Sequence, residues 1–114
     1  MKIEDKLRNM GITLPGVSKP VASYVPAVLS GSYVFVSGQL PFVEGKLKFE
    51  GRVGREVTVE QAQECARIAA LNGLAAIRQV LGNLDRIKQV VKVTGFVRSE
   101  EGFREHPRVL NGAS

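Results

Sequence analysis

Two runs rich in apolar, aromatic and β-branched residues, 22–29 and 33–39, stand on either side of Ser30-Gly31-Ser32. Such residues fit a pleated, half-buried surface, and a short loop that contains glycine joins neighbouring strands tightly. The pattern therefore predicts an antiparallel hairpin. Pro26 cannot donate to a ladder, so we expect the first strand to lie at an edge or to be bulged there.

The second strand passes directly into the small polar sequence Ser37-Gly38-Gln39-Leu40-Pro41, whose glycine and proline should end it. Because alternate strand residues share a face, Ser37 and Gln39 continue the row that Tyr33 and Phe35 begin. An apolar row that ends in two hydrogen-bonding side chains is typical of a pocket rim, but also of a plain strand terminus. Residue types alone leave both interpretations open.

Helical periodicity is clearest between Thr58 and Leu81. The start, Thr58-Val59-Glu60-Gln61, matches a capping box, and Gly82 stands where a C-terminal cap is expected. Residues on one face recur at spacings of three and four and are mostly small, which predicts a helix that approaches a sheet closely. They are Ala62, Cys65, Ala66, Ala69, Gly73, Ala76, Ile77 and Val80. A shorter helix is predicted for residues 4–10, with Gly11 as its cap.

A third strand is predicted over residues 87–98, with apolar residues on both faces. Two-sided apolar strands lie centrally in a sheet, so this strand needs cover from a helix on one side and from either the rest of the domain or another subunit on the other. Together with the hairpin and the long helix it predicts a right-handed βαβ crossover. The sequence between Phe42 and Gly54 fits a small excursion or a short hairpin, and residues 104–114 lead towards another helix. The predicted fold class is α+β, a mixed sheet with helices packed on one face.

A chain of 114 residues suffices for one domain, which we divide into an N-terminal helix and irregular arm (1–21) and a core (22–114). Its hydrophobic content of 44% and charged content of 24% are those of a soluble globular protein. No apolar run approaches a membrane span and the first residues do not resemble a signal peptide, so we expect a cytoplasmic protein without a membrane partner. The net charge of +5 is spread along the chain without an aromatic and basic stripe, which argues against a nucleic-acid partner.

Few residues offer strong chemistry. Cys65 is the only cysteine and falls on the small helix face, where a buried structural thiol is expected. His106 is the only histidine and precedes Pro107 in a predicted loop, so neither a metal site nor another cofactor is predicted. The sequence Gly51-Arg52-Val53-Gly54-Arg55 could cradle an anion, yet it lacks the Lys-Ser/Thr of a P-loop. The catalytic residues stay unknown.

Several segments in this order resemble the RidA/YjgF family of reactive-intermediate (enamine/imine) deaminases. They are Tyr24-Val25, the sequence Val36-Ser37-Gly38-Gln39-Leu40-Pro41, the small-faced helix, and Val90-Val91-Lys92-Val93-Thr94-Gly95-Phe96-Val97. The N-terminal arm with Leu14-Pro15 resembles a longer-armed branch whose members mostly lack an assigned substrate. The resemblance implies a chorismate-mutase-like α+β domain that assembles as a homotrimer, with ligand sites in clefts between subunits.

The resemblance also implies substrate-binding residues. Tyr24 matches the family's cleft tyrosine, Ser37 and Gly38 match its ligand-contacting turn, and Asn111 matches an asparagine on the second helix. The family's carboxylate-binding arginine sits on a later strand, beyond Ser114. We therefore expect the C-terminal part of the domain to be missing here and the natural polypeptide to continue.

The sequence is compatible with three functions. The first is a small-molecule protein that hydrolyses enamine or imine intermediates to keto acids and ammonia, with a carboxylate as its ligand. The second is an RNA-directed activity, either endoribonuclease or translation-inhibiting, and the third is a non-catalytic binding module. Imine hydrolysis in this family is understood to position a water, so the lack of a strong nucleophile is no objection.

Overall fold

The computed structural model describes residues 2–17 and 24–114. Its elements, in chain order, are α1 (Lys2–Asn9), β1 (Ala27–Ser30), β2 (Tyr33–Val36), β3 (Phe42–Val43), β4 (Lys46–Leu47), α2 (Val59–Leu81), a 3₁₀-helix (Leu84–Arg86) and α3 (His106–Leu110). They form two compact units. The first contains the described residues up to Gln39 together with Leu71–Val91, and the second contains Leu40–Ala70 and Lys92–Ser114.

The predicted hairpin is present in the first unit. β1 and β2 pair antiparallel, from Ala27 opposite Val36 to Ser30 opposite Tyr33. Gly31 has a φ of 58°, which glycine adopts without steric cost and which a two-residue hairpin turn requires. Pro26 lies just before β1 rather than inside its ladder, while the start of the predicted strand, Ala22 and Ser23, lies outside the described residues.

Helix α1 is capped at its first residues by a side chain of the 3₁₀-helix in the same unit. The Asp85 carboxylate accepts hydrogen bonds from the backbone N–H groups of Lys2 (2.9 Å) and Ile3 (2.8 Å). The first N–H groups of any helix lack a partner within the helix, so this carboxylate caps α1 from a distant part of the sequence. At the other end Gly11, with a φ of 78°, ends the helix as predicted.

Helix α2 begins with the predicted capping box. Thr58 N–H donates to Gln61 Oε1 and Gln61 N–H donates to Thr58 Oγ1, both at 3.0 Å. Gly82 follows its last turn with a φ of 86°. The predicted small face is only partly correct: Ala62 and Ala76 are buried, but so are Ile68, Asn72 and Ala75, so the deepest side of the helix is rotated from the expected one.

The second unit has its own apolar core. Its buried members are Val53, Val57, Ala62 and Val109, and Phe49, Val59, Val97 and Phe103 pack against them. Helix α3 is attached to α2 by polar contacts as well, because Gln63 Nε2 donates to the Arg108 carbonyl at 2.9 Å. The short hairpin predicted between Phe42 and Gly54 is β3 and β4.

The strand predicted over residues 87–98 is not formed among the described residues. Only its end is paired: Val53 N–H donates to the Arg98 carbonyl (2.9 Å), and Val53 and Ser99 form an isolated bridge. Val90, Val91, Val93 and Phe96 are largely exposed, the last at 95%. A strand needs a neighbour to hydrogen-bond with, and among the described residues the segment before Arg98 has no strand partner. The mixed sheet and the βαβ crossover are therefore absent from the part of the chain that the structure describes, which has two antiparallel two-stranded sheets.

Candidate ligand site at the end of β2

Ser37 follows the last residue of β2 and is fixed by two hydrogen bonds. Its backbone N–H donates to the Pro26 carbonyl at 2.9 Å, which prolongs the hairpin contact by one residue. Its hydroxyl donates to the carbonyl of Val25. A serine hydroxyl has one donor and two acceptor lone pairs, so this bond uses the donor and leaves the acceptors for another group.

Tyr24 and Gly38 lie on either side of that hydrogen bond in sequence. Tyr24 precedes Val25, the acceptor residue, and is 41% exposed as a whole residue. Gly38 follows Ser37, and a Cβ built on it would meet nothing within 4 Å. Gln39 closes the turn by donating from Nε2 to the Ser37 carbonyl at 3.2 Å. The turn thus has a fixed hydroxyl beside open space, the property that the pocket-rim interpretation requires.

Asn111, the fourth predicted site residue, belongs to the second unit. It is the C-terminal cap of α3, where its backbone N–H donates to the Pro107 carbonyl at 3.0 Å, and its side chain is exposed. A ligand-binding role for Tyr24, Ser37, Gly38 and Asn111 stays a prediction.

A serine and histidine pair was missed by the sequence reasoning. His106 is the first residue of α3 rather than part of a loop, and its Nε2 lies 3.1 Å from Ser99 Oγ. The chain turns back at Gly102, whose φ is 83°. This glycine is the sequence signal that could have indicated that Ser99 and His106 lie close together. The Phe103 ring packs edge-on against the imidazole at 5.1 Å. No carboxylate among the described residues is hydrogen-bonded to this imidazole, so the third member of a catalytic triad is lacking there.

The Cys65 thiol and the glycine-rich loop 51–55 are the two other candidates, and neither is arranged for reaction or for anion binding. Burial raises the pKa of the Cys65 thiol, against the opposing effect of a backbone hydrogen bond at Phe49, so the reactive thiolate is disfavoured. In the glycine-rich loop, Glu56 Oε1 accepts a hydrogen bond from Arg52 N–H at 2.9 Å, and this bond lowers the pKa of the Glu56 carboxyl. The anion cradle is thus filled by the protein's own carboxylate.

Within residues 2–17 and 24–114, no three histidine, cysteine or acidic side chains come together as a metal site would need. Among those same residues, no helix is long and apolar enough to cross a bilayer.

Comparison with known proteins identifies the family. Residues 4–114 match the profile of the family described as "YjgF/chorismate mutase-like, putative endoribonuclease". The chain belongs to the YjgF family. Protein TCP17 of Trypanosoma cruzi is 40% identical over 113 residues, covering 99% of this chain and 71% of that protein.

Two solved structures of similar proteins support the YjgF fold. A crystal structure described as a "putative endoribonuclease" from Shewanella oneidensis MR-1 is 36% identical with a TM-score of 0.92. It covers 96% of this chain, which spans 73% of that one. The protein Atu1372 of unknown function from Agrobacterium tumefaciens is 44% identical with a TM-score of 0.86, over 97% of this chain and 67% of that one. The predicted chorismate-mutase-like α+β fold is therefore confirmed.

Proposed function

We propose that this YjgF-family protein hydrolyses reactive enamine or imine intermediates to keto acids and ammonia. In the reaction, water oxygen adds to the carbon of the C=N bond while the nitrogen takes a proton. The resulting carbinolamine then loses ammonia as its hydroxyl becomes the carbonyl. Such a reaction requires an oriented water and proton transfer, without a covalent intermediate on the protein.

The observation that carries this proposal is the hydrogen bond from Ser37 Oγ to the Val25 carbonyl. Because the hydroxyl hydrogen is committed to that carbonyl, the oxygen is oriented to accept a hydrogen bond from a water molecule. Gly38 supports the proposal as well, since it adds no side chain where a planar substrate would approach. Tyr24, partly exposed next to Val25, is proposed as a further wall of the same cleft.

The cleft is proposed to lie between subunits of a homotrimer. A two-stranded hairpin is marginally stable on its own and requires cover from other parts of a protein. The β1–β2 hairpin exposes large apolar side chains that would provide a contact surface: Val28, Leu29, Tyr33, Phe35 and Val36, with Tyr33 and Phe35 exposed by 57% and 63%. Light scattering on the purified chain would test the trimer, and a monomer at micromolar concentration would contradict it.

The activity is tested with 2-imino acids that an amino-acid oxidase generates in the assay mixture. The release of ammonia is followed over time. We expect the protein to accelerate ammonia release, and Ser37→Ala to remove most of the acceleration. Ser32→Ala, in the hairpin turn, is the matched control and should retain it. Equal release with and without the protein would contradict the proposed hydrolysis.

An RNA-directed activity is the second candidate. The net charge of +5 permits it, the family description favours it, and the Shewanella relative is named for an endoribonuclease activity. Incubation with end-labelled single-stranded RNA, with and without a ribonuclease inhibitor, distinguishes it from contamination. Cleavage that co-purifies with the protein and persists with the inhibitor would support this candidate.

A further inference from the structure

The Ser99–His106 pair lies in the second unit, whereas the turn proposed for imine hydrolysis lies in the first. Ser99 Oγ is 3.1 Å from His106 Nε2, and both residues are half-buried. A serine hydroxyl is a weak nucleophile by itself and is activated by a base within hydrogen-bond distance. The pair therefore has the first two parts of a nucleophilic site, which the function proposed above does not use.

The backbone on both sides of Ser99 is held by Val53. Val53 N–H donates to the Arg98 carbonyl at 2.9 Å, and Glu100 N–H donates to the Val53 carbonyl at 3.0 Å. Val53 is itself buried in the apolar core of the second unit. The N–H of Ser99 takes no part in these bonds and donates to no atom of the described residues, so it is a donor available next to the hydroxyl.

The imidazole is placed by helix α3 and by an aromatic neighbour. His106 is the first residue of α3, and Pro107 follows it in the first turn, where proline is well tolerated. The helix is anchored in the core by Val109, which is buried. The Phe103 ring packs against the imidazole at 5.1 Å with an angle of 79° between the two planes. Packing thus gives the orientation that a carboxylate provides in a catalytic triad.

We propose that Ser99 is a nucleophile, with His106 as its general base, for activated esters of short carboxylic acids. The Ser99 hydroxyl donates to Nε2, and its oxygen adds to the ester carbonyl carbon as the proton passes to the imidazole. The tetrahedral adduct expels the alcohol, which takes that proton from Nε2, and the acyl group remains on Oγ. Water then loses a proton to Nε2 and adds to the acyl carbon. Oγ recovers the proton as the carboxylic acid leaves.

The surroundings of the pair define the class of ester. The Ser99 N–H is the donor for the negative oxygen of the adduct, a role that the amide of the nucleophile itself has in serine proteases. Loss of the correct triad carboxylate slows such an enzyme by about 10⁴-fold, so a pair without one requires a good leaving group such as a phenolate. Phe103 offers an apolar contact to a short acyl chain.

The probe is p-nitrophenyl acetate, mixed with the whole chain. We expect release of p-nitrophenol and an acetyl group on Ser99, located by peptide mapping with mass spectrometry. Lysine side chains are acetylated by this reagent as well, but as amides. Hydroxylamine cleaves the ester on a serine and leaves the amide on a lysine, so an acetyl group that hydroxylamine removes distinguishes Ser99.

Variants of both residues test the assignment. Ser99→Ala should lose this acetyl group and release p-nitrophenol more slowly, and Ser32→Ala, in the hairpin turn, is the control and should behave as the wild type. His106→Gln should slow the acetylation of Ser99 by about 100-fold, the lower end of what a general base contributes. The sequence contains one histidine, so diethyl pyrocarbonate treatment of the wild type removes the same base should His106→Gln fail to fold.

Three results would each overturn the proposal. The first is the lack of a hydroxylamine-sensitive acetyl group on Ser99. The second is equal release of p-nitrophenol by the wild type and folded Ser99→Ala, which would mean that the imidazole or a lysine reacts directly. The third is unchanged acetylation of Ser99 after the imidazole has been substituted or modified.

Discussion

The Asp85 carboxylate accepts a hydrogen bond from the backbone N–H of Ile3, 82 positions earlier in the sequence. This bond, together with the one from Lys2, lowers the pKa of the Asp85 carboxyl below its usual value of 3.8. A carboxyl whose pKa is lower in the folded state stabilises that state above its unfolded pKa. The contribution is lost as the pH falls through the lowered folded value.

Asp85→Asn should therefore loosen the start of α1, because the amide has no charge and one acceptor fewer. We expect faster hydrogen exchange at Ile3 in the variant at pH 6, and little difference between the two proteins at pH 2. Glu101→Gln is the control and should leave the exchange unchanged. Equal protection of Ile3 in wild type and Asp85→Asn at pH 6 would show that this cap is not formed in solution.

The capping box of α2 predicts a second effect on stability. Thr58→Ala removes the acceptor for Gln61 N–H, and the loss of such a cap costs about 1 kcal/mol in the free energy of unfolding. Urea denaturation measures the change. Thr94→Ala, at an exposed position outside the helices, is the control and should shift the free energy by less than about 0.5 kcal/mol. Equal effects of the two substitutions would contradict the cap.

Gly73 lies in the middle of α2, and a Cβ built there would meet Gln39 Cγ at 3.8 Å and Val36 Cγ1 at 3.9 Å. These are ordinary contact distances, so Gly73→Ala should stabilise the protein by about 0.5–1 kcal/mol through helix propensity. Gly73→Leu should instead destabilise it by about 1–3 kcal/mol, since the longer side chain has no room beside β2. Thermal unfolding of both variants separates the two effects, and a stabilising leucine would show that the helix is not close to β2.

Gly112, unlike Gly73, has no room for a side chain. A Cβ on it would overlap the backbone carbonyl of Gln63, which cannot move without distorting α2. Gly112→Ala should therefore destabilise the protein by about 1–3 kcal/mol. Gly16→Ala is the matched control, because a Cβ there meets nothing within 4 Å. Urea denaturation compares them, and equal stability would contradict the close approach.

Local signals were sufficient to predict α1, α2 and the first hairpin. The Thr58 and Gln61 side chains are three residues apart, so the bonds that start α2 can be read from the sequence directly. Gly31 similarly marks its turn through a positive φ that glycine adopts easily. Fold class and family followed from the order of such segments.

Features that depend on distant partners could not be predicted in this way. The apolar residues 90–97 indicate burial, but strand formation depends on a neighbour that composition does not identify. The bonds from Ile3 to Asp85 and from Ser99 to His106 join residues whose proximity is decided by the chain path between them. In the candidate site, Ser37 was predicted from its place after a strand, whereas the carbonyl that orients its hydroxyl was not.

The raised pKa of Cys65 makes this residue a native reporter of opening in the second unit. A thiol that is partly shielded and mostly protonated reacts slowly with an alkylating reagent, and it reacts faster whenever α2 separates from its surroundings. Because the sequence contains one cysteine, the alkylation rate of the intact protein reports on a single position without any engineered label. Denaturant dependence of that rate would distinguish local opening around Cys65 from unfolding of the whole chain.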